Sequence, residues 1–291
     1  MITLRQMIAA TAQKPPTRPA VRYHGGKWML APWIAAHFPD HQVYVEPFGG
    51  GGSVLLRKPR CYAEVYNDLD GEMVNLFRVM RDQGARLRAE IALTLYSRAE
   101  FALSYEPAAE PVEQARRTLV RSFQGFSSAA ASGEPTGFRA NSNRSGSTPA
   151  TDWQRYPNAM PALMERLRGV VIEQRDALAV CQAHDSADTL HYVDPPYVHD
   201  TRSNKRRSTG TGRAYRHEMS AADHQRVAEG LRQLEGTVVV SGYRCDLYDD
   251  LYGDWQRVDK AACHAGGQVE SLWLSRADAV RDLFVDQMVV R

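Results

Sequence analysis

The chain has 291 residues, 43% hydrophobic and 24% charged, which is an ordinary composition for a soluble globular protein with one large domain or two smaller ones. No apolar run approaches the length of a membrane span. The formal net charge is only +2, so the protein is not uniformly basic and any nucleic-acid binding must rest on local clusters.

Cys61, Cys181, Cys245 and Cys263 are far apart and form no CxxC pair. They are expected to be free thiols in a reducing compartment rather than a disulfide frame or a zinc site. His37 and His41 are four apart, but Phe38, Pro39 and Asp40 lie between them and HExxH is absent, so no metal is expected. Met1 to Thr17 shows no basic region followed by an apolar stretch, and no secretion signal is expected.

Residues 1–20 read as a short helix and then a Pro-rich extended arm. Tyr23-His24-Gly25-Gly26-Lys27 follows and leads into a helix around Trp28–His37. Its two glycines let the backbone approach a ligand closely. A P-loop is excluded, because Trp28 stands where Ser or Thr is needed. Gln42 to Leu56 reads as a short strand, a turn of four glycines (Gly49–Gly52) and the start of an apolar helix. That unit puts backbone N–H groups against an anionic or nucleoside ligand. Val54 or Leu55 stands where the third glycine of a dinucleotide fingerprint belongs, which disfavours a nicotinamide dehydrogenase. A Gly-rich turn without a ligand is the plain alternative. Cys61 to Asp68 is the second strand. A carboxylate at its end, such as Asp68, is placed to take ribose hydroxyls; alternatively, Asn67 or Asp68 merely caps a helix over Gly71–Arg81.

Residues 80–165 break the βα rhythm. Segments 84–105 and 110–124 look helical, and residues 127–149 form a polar stretch carrying Arg139 and Arg144. The region reads as an inserted helical module or, more plainly, as a surface excursion. The pattern returns with a helix at Pro161–Leu167, a strand from Gly169 to Asp176 and a helix at Ala177–Ala183. The next strand runs from Leu190 into Asp194-Pro195-Pro196-Tyr197. Two prolines stop both strand and helix, so the chain must turn at the strand's carboxyl end, where open α/β sheets place ligands. Asp194 and the Pro195 carbonyl can each accept a hydrogen bond from an exocyclic amino group, and Tyr197 offers a stacking face. The same four residues also fit a strand end with a surface tyrosine.

His199 to Arg216 holds Arg202, Lys205, Arg206, Arg207, Arg213 and Arg216, with no acidic residue between Asp200 and Glu218. It reads as a phosphate-binding loop, or as a solvated basic run. Ser220–Glu235 is an amphipathic helix, Thr237–Tyr243 a strand with a turn, and Asp246–Tyr252 a short helix. Glu270–Ser275 and Phe284–Val290 are late strands, the second of which fits a helix equally.

Taken together, Tyr23–Lys27, Glu46–Ser53, Asn67-Asp68, Asp176, Asp194–Tyr197, Ser241–Tyr243 and Glu270–Trp273 closely resemble the motifs of Dam-type N6-adenine DNA methyltransferases, in the family's order and over most of the chain. The resemblance implies an α/β fold: a seven-stranded, mixed-sheet class I methyltransferase (Rossmann-like) core with an inserted, mainly helical target-recognition domain. Residues 1–79 would be the cofactor-binding first part, 80–165 the recognition domain and 166–291 the catalytic second part. By the same resemblance, Tyr23, Lys27, Glu46, Phe48, Gly49, Gly50, Gly51 and Ser53 would bind S-adenosylmethionine, Phe48 and the glycines cradling its methionine end with Lys27 and Tyr23 nearby. Asp68 would hold its ribose and Asp176 its adenine, with Asp194 close by. Asp194, Pro195, Pro196 and Tyr197 would act on a target adenine flipped out of double-stranded DNA. Arg139, Arg144, Arg202, Lys205, Arg206, Arg207 and Arg213 would contact that DNA. The implied enzyme is a cytoplasmic, bacterial, phage or mobile-element protein of the restriction-modification kind, monomeric or weakly dimeric, needing no metal and no membrane. Cytosine N4, RNA adenine and a catalytically inactive DNA-binding relative are the alternatives.

Overall fold

The computed structural model describes residues 15–126, 133, 135–141, 146–197, 216–260 and 269–276. Seven strands make one sheet: β1 (Val43–Glu46), β2 (Ala63–Asn67), β3 (Val170–Glu173), β4 (Thr189–Val193), β5 (Thr237–Tyr243), β6 (Gln256–Lys260) and β7 (Glu270–Leu274), in the order β3-β2-β1-β4-β5-β7-β6. The five from β3 to β5 are mutually parallel, and β7 runs antiparallel to both β5 and β6. The mixed, seven-stranded sheet expected from the resemblance is present. Its inner strands are rich in Val, Leu and Tyr because both faces are covered, and every residue of β4 and β7 is buried. β6 is different. Gln256, Arg257 and Asp259 are exposed on this edge strand, so it carries no apolar alternation, and the sequence pattern does not reveal it.

The helices are α1 (Ala31–Ala36), α2 (Ser53–Arg57), α3 (Gly71–Asp82), α4 (Gly84–Leu93), α5 (Arg98–Leu103), α6 (Pro111–Gln124), α7 (Pro149–Leu167), α8 (Ala177–Ala183), α9 (Ala221–Leu231) and α10 (Asp246–Tyr252). Side chains alternate across the sheet. Tyr192, Val239 and Leu272 join one core with Leu55, Phe77, Leu119 and Tyr156, whereas Val193, Val240 and Trp273 join the other with Val227, Leu231 and Tyr248. The helices between β2 and β3 share the first core with the sheet.

Two helical boundaries differ from the pattern reading. Segment 84–105 is broken between α4 and α5, where the Ser97 side chain accepts from Glu100 N and caps α5. α7 begins twelve residues before Pro161, at Pro149, and carries Pro157 and Pro161 inside it. Proline interrupts a helix by removing a donor. Here Pro161 has no N–H for the Pro157 carbonyl, and Arg88 Nε donates to that oxygen instead at 2.9 Å. The partner comes from α4, far away in sequence, which is why local rules start the helix too late, at Pro161.

One buried ion cluster fixes α7 to β2 and to the chain just after α2. Glu64 accepts from Lys58 Nζ at 2.7 Å and from Arg166 Nη1 and Nη2 at 2.6 and 2.8 Å, with all three side chains buried. Burial pushes the Glu64 carboxyl up, but the Arg166 hydrogen bonds and the Lys58 charge outweigh it and hold the group below the usual range. Glu64→Ala would leave two buried cations without their carboxylate. It is expected to lower the unfolding free energy by about 3–5 kcal/mol, seen as a lower urea midpoint at unchanged slope.

Candidate active site

β1 and β4 lie side by side, with Tyr44 opposite Leu190 and Val45 opposite His191. The strand order reverses between them, and crevices at such a reversal are where open α/β sheets bind ligands. The glycine turn leaves β1 and the Asp194 corner leaves β4 on this same edge. Between them lies a cleft of about 370 Å³, counting the part open to solvent, lined by Tyr23, Lys27, Glu46, Phe48, Gly49, Gly50, Gly51, Ser53 and Asp194. These residues were nominated from separate motifs, and the fold brings them together.

The turn depends on its glycines. A Cβ on Gly49 would fall 2.2 Å from the Tyr66 ring, and Gly50 has φ +48°. Tyr66 OH donates to the Gly50 carbonyl at 2.8 Å. Asp68 accepts from Gly50 N at 2.7 Å and from Asp70 N at 2.8 Å. Burial pushes its carboxyl up to about 6, against the pull of those two N–H groups. The helix cap is Asp70, whose side chain accepts from Glu72 N, and neither Asn67 nor Asp68 fills that role. Asn67 instead donates to the Pro47 and Arg175 carbonyls at 2.8 and 3.0 Å, stitching the turn to β3's end. Glu46 closes the floor, accepting from Tyr44 OH at 2.7 Å and Leu55 N at 2.9 Å. Burial raises its carboxyl to about 8; the two hydrogen bonds oppose that rise, and the nearby Asp194 charge adds to it.

At the other wall, Asp194 Oδ1 accepts from Lys27 Nζ at 3.0 Å and from Ser241 Oγ at 2.8 Å. The Tyr192 hydroxyl lies 2.9 Å from Ser241 Oγ. Lys27 also donates to the Gly25 carbonyl at 3.2 Å, and its ammonium stands 4.5 Å over the Tyr197 ring. Tyr197 is buried. Its hydroxyl donates to Glu270 Oε1 at 2.7 Å, and its ring meets Tyr243 edge-on at 4.6 Å. Ser241, Tyr243 and Glu270 carry no assigned role in the sequence reading. The available signal for Glu270 is a carboxylate at the head of a strand whose residues are all buried, a position where an unpaired charge is rare.

Residues 23–265 match the model of the D12 class N6 adenine-specific DNA methyltransferases. The chain belongs to this family. It is also similar to the type II methyltransferase M1.LlaDCHI of Lactococcus lactis subsp. cremoris, with 26% identity over 264 residues, 82% of this chain and 85% of that protein. The protein is therefore an adenine-specific DNA methyltransferase that uses S-adenosylmethionine, and its substrate is adenine N6 in DNA rather than cytosine N4 or RNA.

The remaining nominated residues of the methyltransferase are placed less centrally. Asp176 lies outside the lining of the cleft. It caps α8, accepting from Leu178 N and Ala179 N at 3.0 and 3.2 Å, and pairs with Arg226 at 3.0 Å. Pro195 is buried and Pro196 half-buried. Arg139 is half-buried next to Tyr96, whose hydroxyl donates to its carbonyl at 2.5 Å. Arg144, Arg202, Lys205, Arg206, Arg207 and Arg213 lie outside the described residues, as does Phe284–Val290. Arg216, at the end of the basic run, pairs with Asp70 at 3.3 Å and Glu72 at 2.9 Å. Among the described residues there is no group of three or more His, Cys, Asp or Glu that could hold a metal, and no helix is long and apolar enough to cross a membrane.

Glu46 makes stability depend on pH. Between 4.5 and about 8 the folded protein keeps a proton on Glu46 that the unfolded chain has released. Its stabilising contribution is full below 4.5 and is lost as pH rises through about 8. The unfolding free energy of the cofactor-free enzyme minus that of Glu46→Gln is expected to fall by ~1.4 kcal/mol per pH unit across that window, measured by urea titration at each pH.

Proposed function

We propose that the cleft holds S-adenosylmethionine and that the target adenine is flipped out of the duplex to meet Asp194. The observation that carries this reading is the β1–β4 pairing, which puts the glycine turn and the Asp194 corner on one cleft. The lining suits the cofactor. A Cβ on Gly49 or Gly50 would meet an aromatic ring, so the turn stays bare backbone beside the cleft, and Asp194 lines the same cleft, where it would face the cofactor's positive charge. The cofactor, when bound, supplies an electrophilic methyl group on a positively charged sulfur. Phe48, Tyr23, Lys27, Ser53 and the turn would hold its methionine end, Asp68 its ribose hydroxyls and Asp176 its adenine amino group.

The other steps belong to the chain itself. A base inside a duplex cannot present its amino group to a buried donor, so it must leave the stack at a cost of a few kcal/mol. Tyr197 would stack on the extruded ring and offset part of this, since base–aromatic stacking is worth ~1–3 kcal/mol. Asp194 and the Pro195 carbonyl would accept the two N6 hydrogens. That geometry draws the nitrogen toward tetrahedral character and frees its lone pair for in-line attack. Positioning and electrostatics supply most of the acceleration. Asp194 need not be a strong base, because the nitrogen becomes acidic only once it is alkylated.

The helical region within 80–165 would read the target sequence. Arg139, Arg144, Arg202, Lys205, Arg206, Arg207 and Arg213 would neutralise phosphates, an assignment resting on charge and position in the chain. Similarity to a type II methyltransferase supports a role as the modification arm of a restriction system. In that role the protein would act on DNA in the cytoplasm as a monomer or weak dimer.

Asp194→Ala is expected to slow methyl transfer by at least on the order of 10³-fold while cofactor binding largely survives; normal turnover would overturn the assignment. Asp68→Ala should weaken S-adenosylmethionine binding by roughly 10–100-fold in a titration, the worth of hydrogen bonds to a charged group.

A further inference from the structure

Lys27 occupies two of the three contacts assigned to the target base. Its ammonium holds Asp194 Oδ1 at 3.0 Å and covers the Tyr197 ring at 4.5 Å. On the reading above, Asp194 is the acceptor for the amino group and Tyr197 the stacking face. An adenine stacked on the ring face that the ammonium covers would take its place, so the ammonium must shift away from Asp194 as adenine docks. It cannot be left stranded, because an unpaired charge in a buried site is far costlier than a paired one, and the Lys27 side chain is only 6% exposed.

Glu270 is placed to receive it. Its Oε1 is 3.7 Å from the same Nζ, and its side chain is also 6% exposed. The fold delivers this carboxylate for a specific reason. β7 runs antiparallel, pairing Glu270 with Tyr243, so the first residue of β7 emerges at the edge where the parallel strands end. Burial pushes the Glu270 carboxyl up and the Asp194 charge adds to this, while Lys27 opposes both. A closer ammonium would favour the ionised form further. Ser241 would keep Asp194 oriented during the exchange, since its bond to Oδ1 is independent of Lys27.

We propose that Glu270 is the second counter-ion of Lys27: as the target amino group takes Asp194, the ammonium passes to Glu270, which at the same time holds Tyr197 through its hydroxyl. This rests on the assignment of Asp194 and Tyr197 to the target base. It makes Glu270 a positioning residue that acts through Lys27 and touches no reacting atom.

Charge and shape can be separated at this position. Glu270→Gln keeps the size and loses the charge; Glu270→Asp keeps the charge and loses length. Transfer of labelled methyl groups from S-adenosylmethionine into unmethylated genomic DNA, under single-turnover conditions, is expected to fall on the order of 100-fold in Glu270→Gln and less in Glu270→Asp, with little change in cofactor affinity in either. Loss of cofactor binding in the Gln variant alone would place the Glu270 charge in cofactor binding rather than in the exchange with Lys27, and would overturn the proposal. Glu270→Gln as fast as Glu270→Asp or faster would make Glu270 a packing residue and overturn it. Loss of cofactor binding in both variants would assign Glu270 to the fold and overturn it as well. Lys27→Met combined with Glu270→Gln should be no slower than the slower single variant, whereas additive losses would show that Glu270 does not act through Lys27. Asp194→Ala measured alongside separates the two levels. If that variant is inactive while Glu270→Gln runs at full rate, only the role of Glu270 falls; if Asp194→Ala turns over normally, the site assignment itself fails.

Discussion

Hydrogen bonding between β1 and β4 is the constraint on which the site depends. The two strands are distant in the chain, yet their parallel register places Val45 beside His191 and so aligns their carboxyl ends. A slip of one residue would move every β4 side chain to the opposite face, putting Tyr192 where the smaller Val193 packs and Val193 into the other core, so the register is strongly fixed. Everything chemical follows from that alignment. The glycine turn and the Asp194 corner need no contact with each other, because each is carried to the cleft by its own strand. The prolines then keep Asp194 at the strand's end by denying the chain either a further ladder bond or a helical start.

The site so formed is rich in carboxylates. Glu46, Asp68, Asp194 and Glu270 gather on this edge, with Lys27 as a buried cation among them. Burial raises Glu46 to about 8, Asp68 to about 6, and Glu270 above its ordinary value. An apolar cleft would fold more easily, so this crowding is a cost that the rest of the core offsets. Fixed acceptors need no reorganisation when charge moves, which is where most enzymatic acceleration originates.

The sequence was legible where chemistry is local. Four consecutive glycines, a strand-end Asp68 and Asp194-Pro195-Pro196-Tyr197 each state their geometry through backbone rules, and all lie on the edge those rules indicate. It was opaque where a distant partner decides. α7 survives Pro161 because Arg88 serves the Pro157 carbonyl. β6 forms an edge from charged residues because β7 offers it a ladder. Asp70 takes the cap that Asn67 or Asp68 could have filled, because Gly50 and Asp70 N–H groups occupy Asp68 and two carbonyls occupy Asn67. The Lys27 ammonium over Tyr197 could not be read from either motif, since they meet only in space.

That dependence on distant partners also binds the helical region to the glycine turn. Glu72, in the first turn of α3, pairs with Arg121 of α6 and with Arg216, and Thr118 donates to it at 3.3 Å. Arg121 is buried, and burial together with the Arg216 charge lowers it to about 10, so it has little freedom to find another partner. The residue two before Glu72 is Asp70, which caps α3, receives Arg216 and donates its N–H to Asp68. α6 therefore cannot draw away from α3 without breaking a buried ion pair, and the start of α3 cannot shift without disturbing the carboxylate beside the glycine turn. Burying an unpaired arginine costs several kcal/mol, more than a surface contact would return. The helices between β2 and β3 are held to the sheet by charge as well as by the shared hydrophobic core, and the held point is the one next to Asp68.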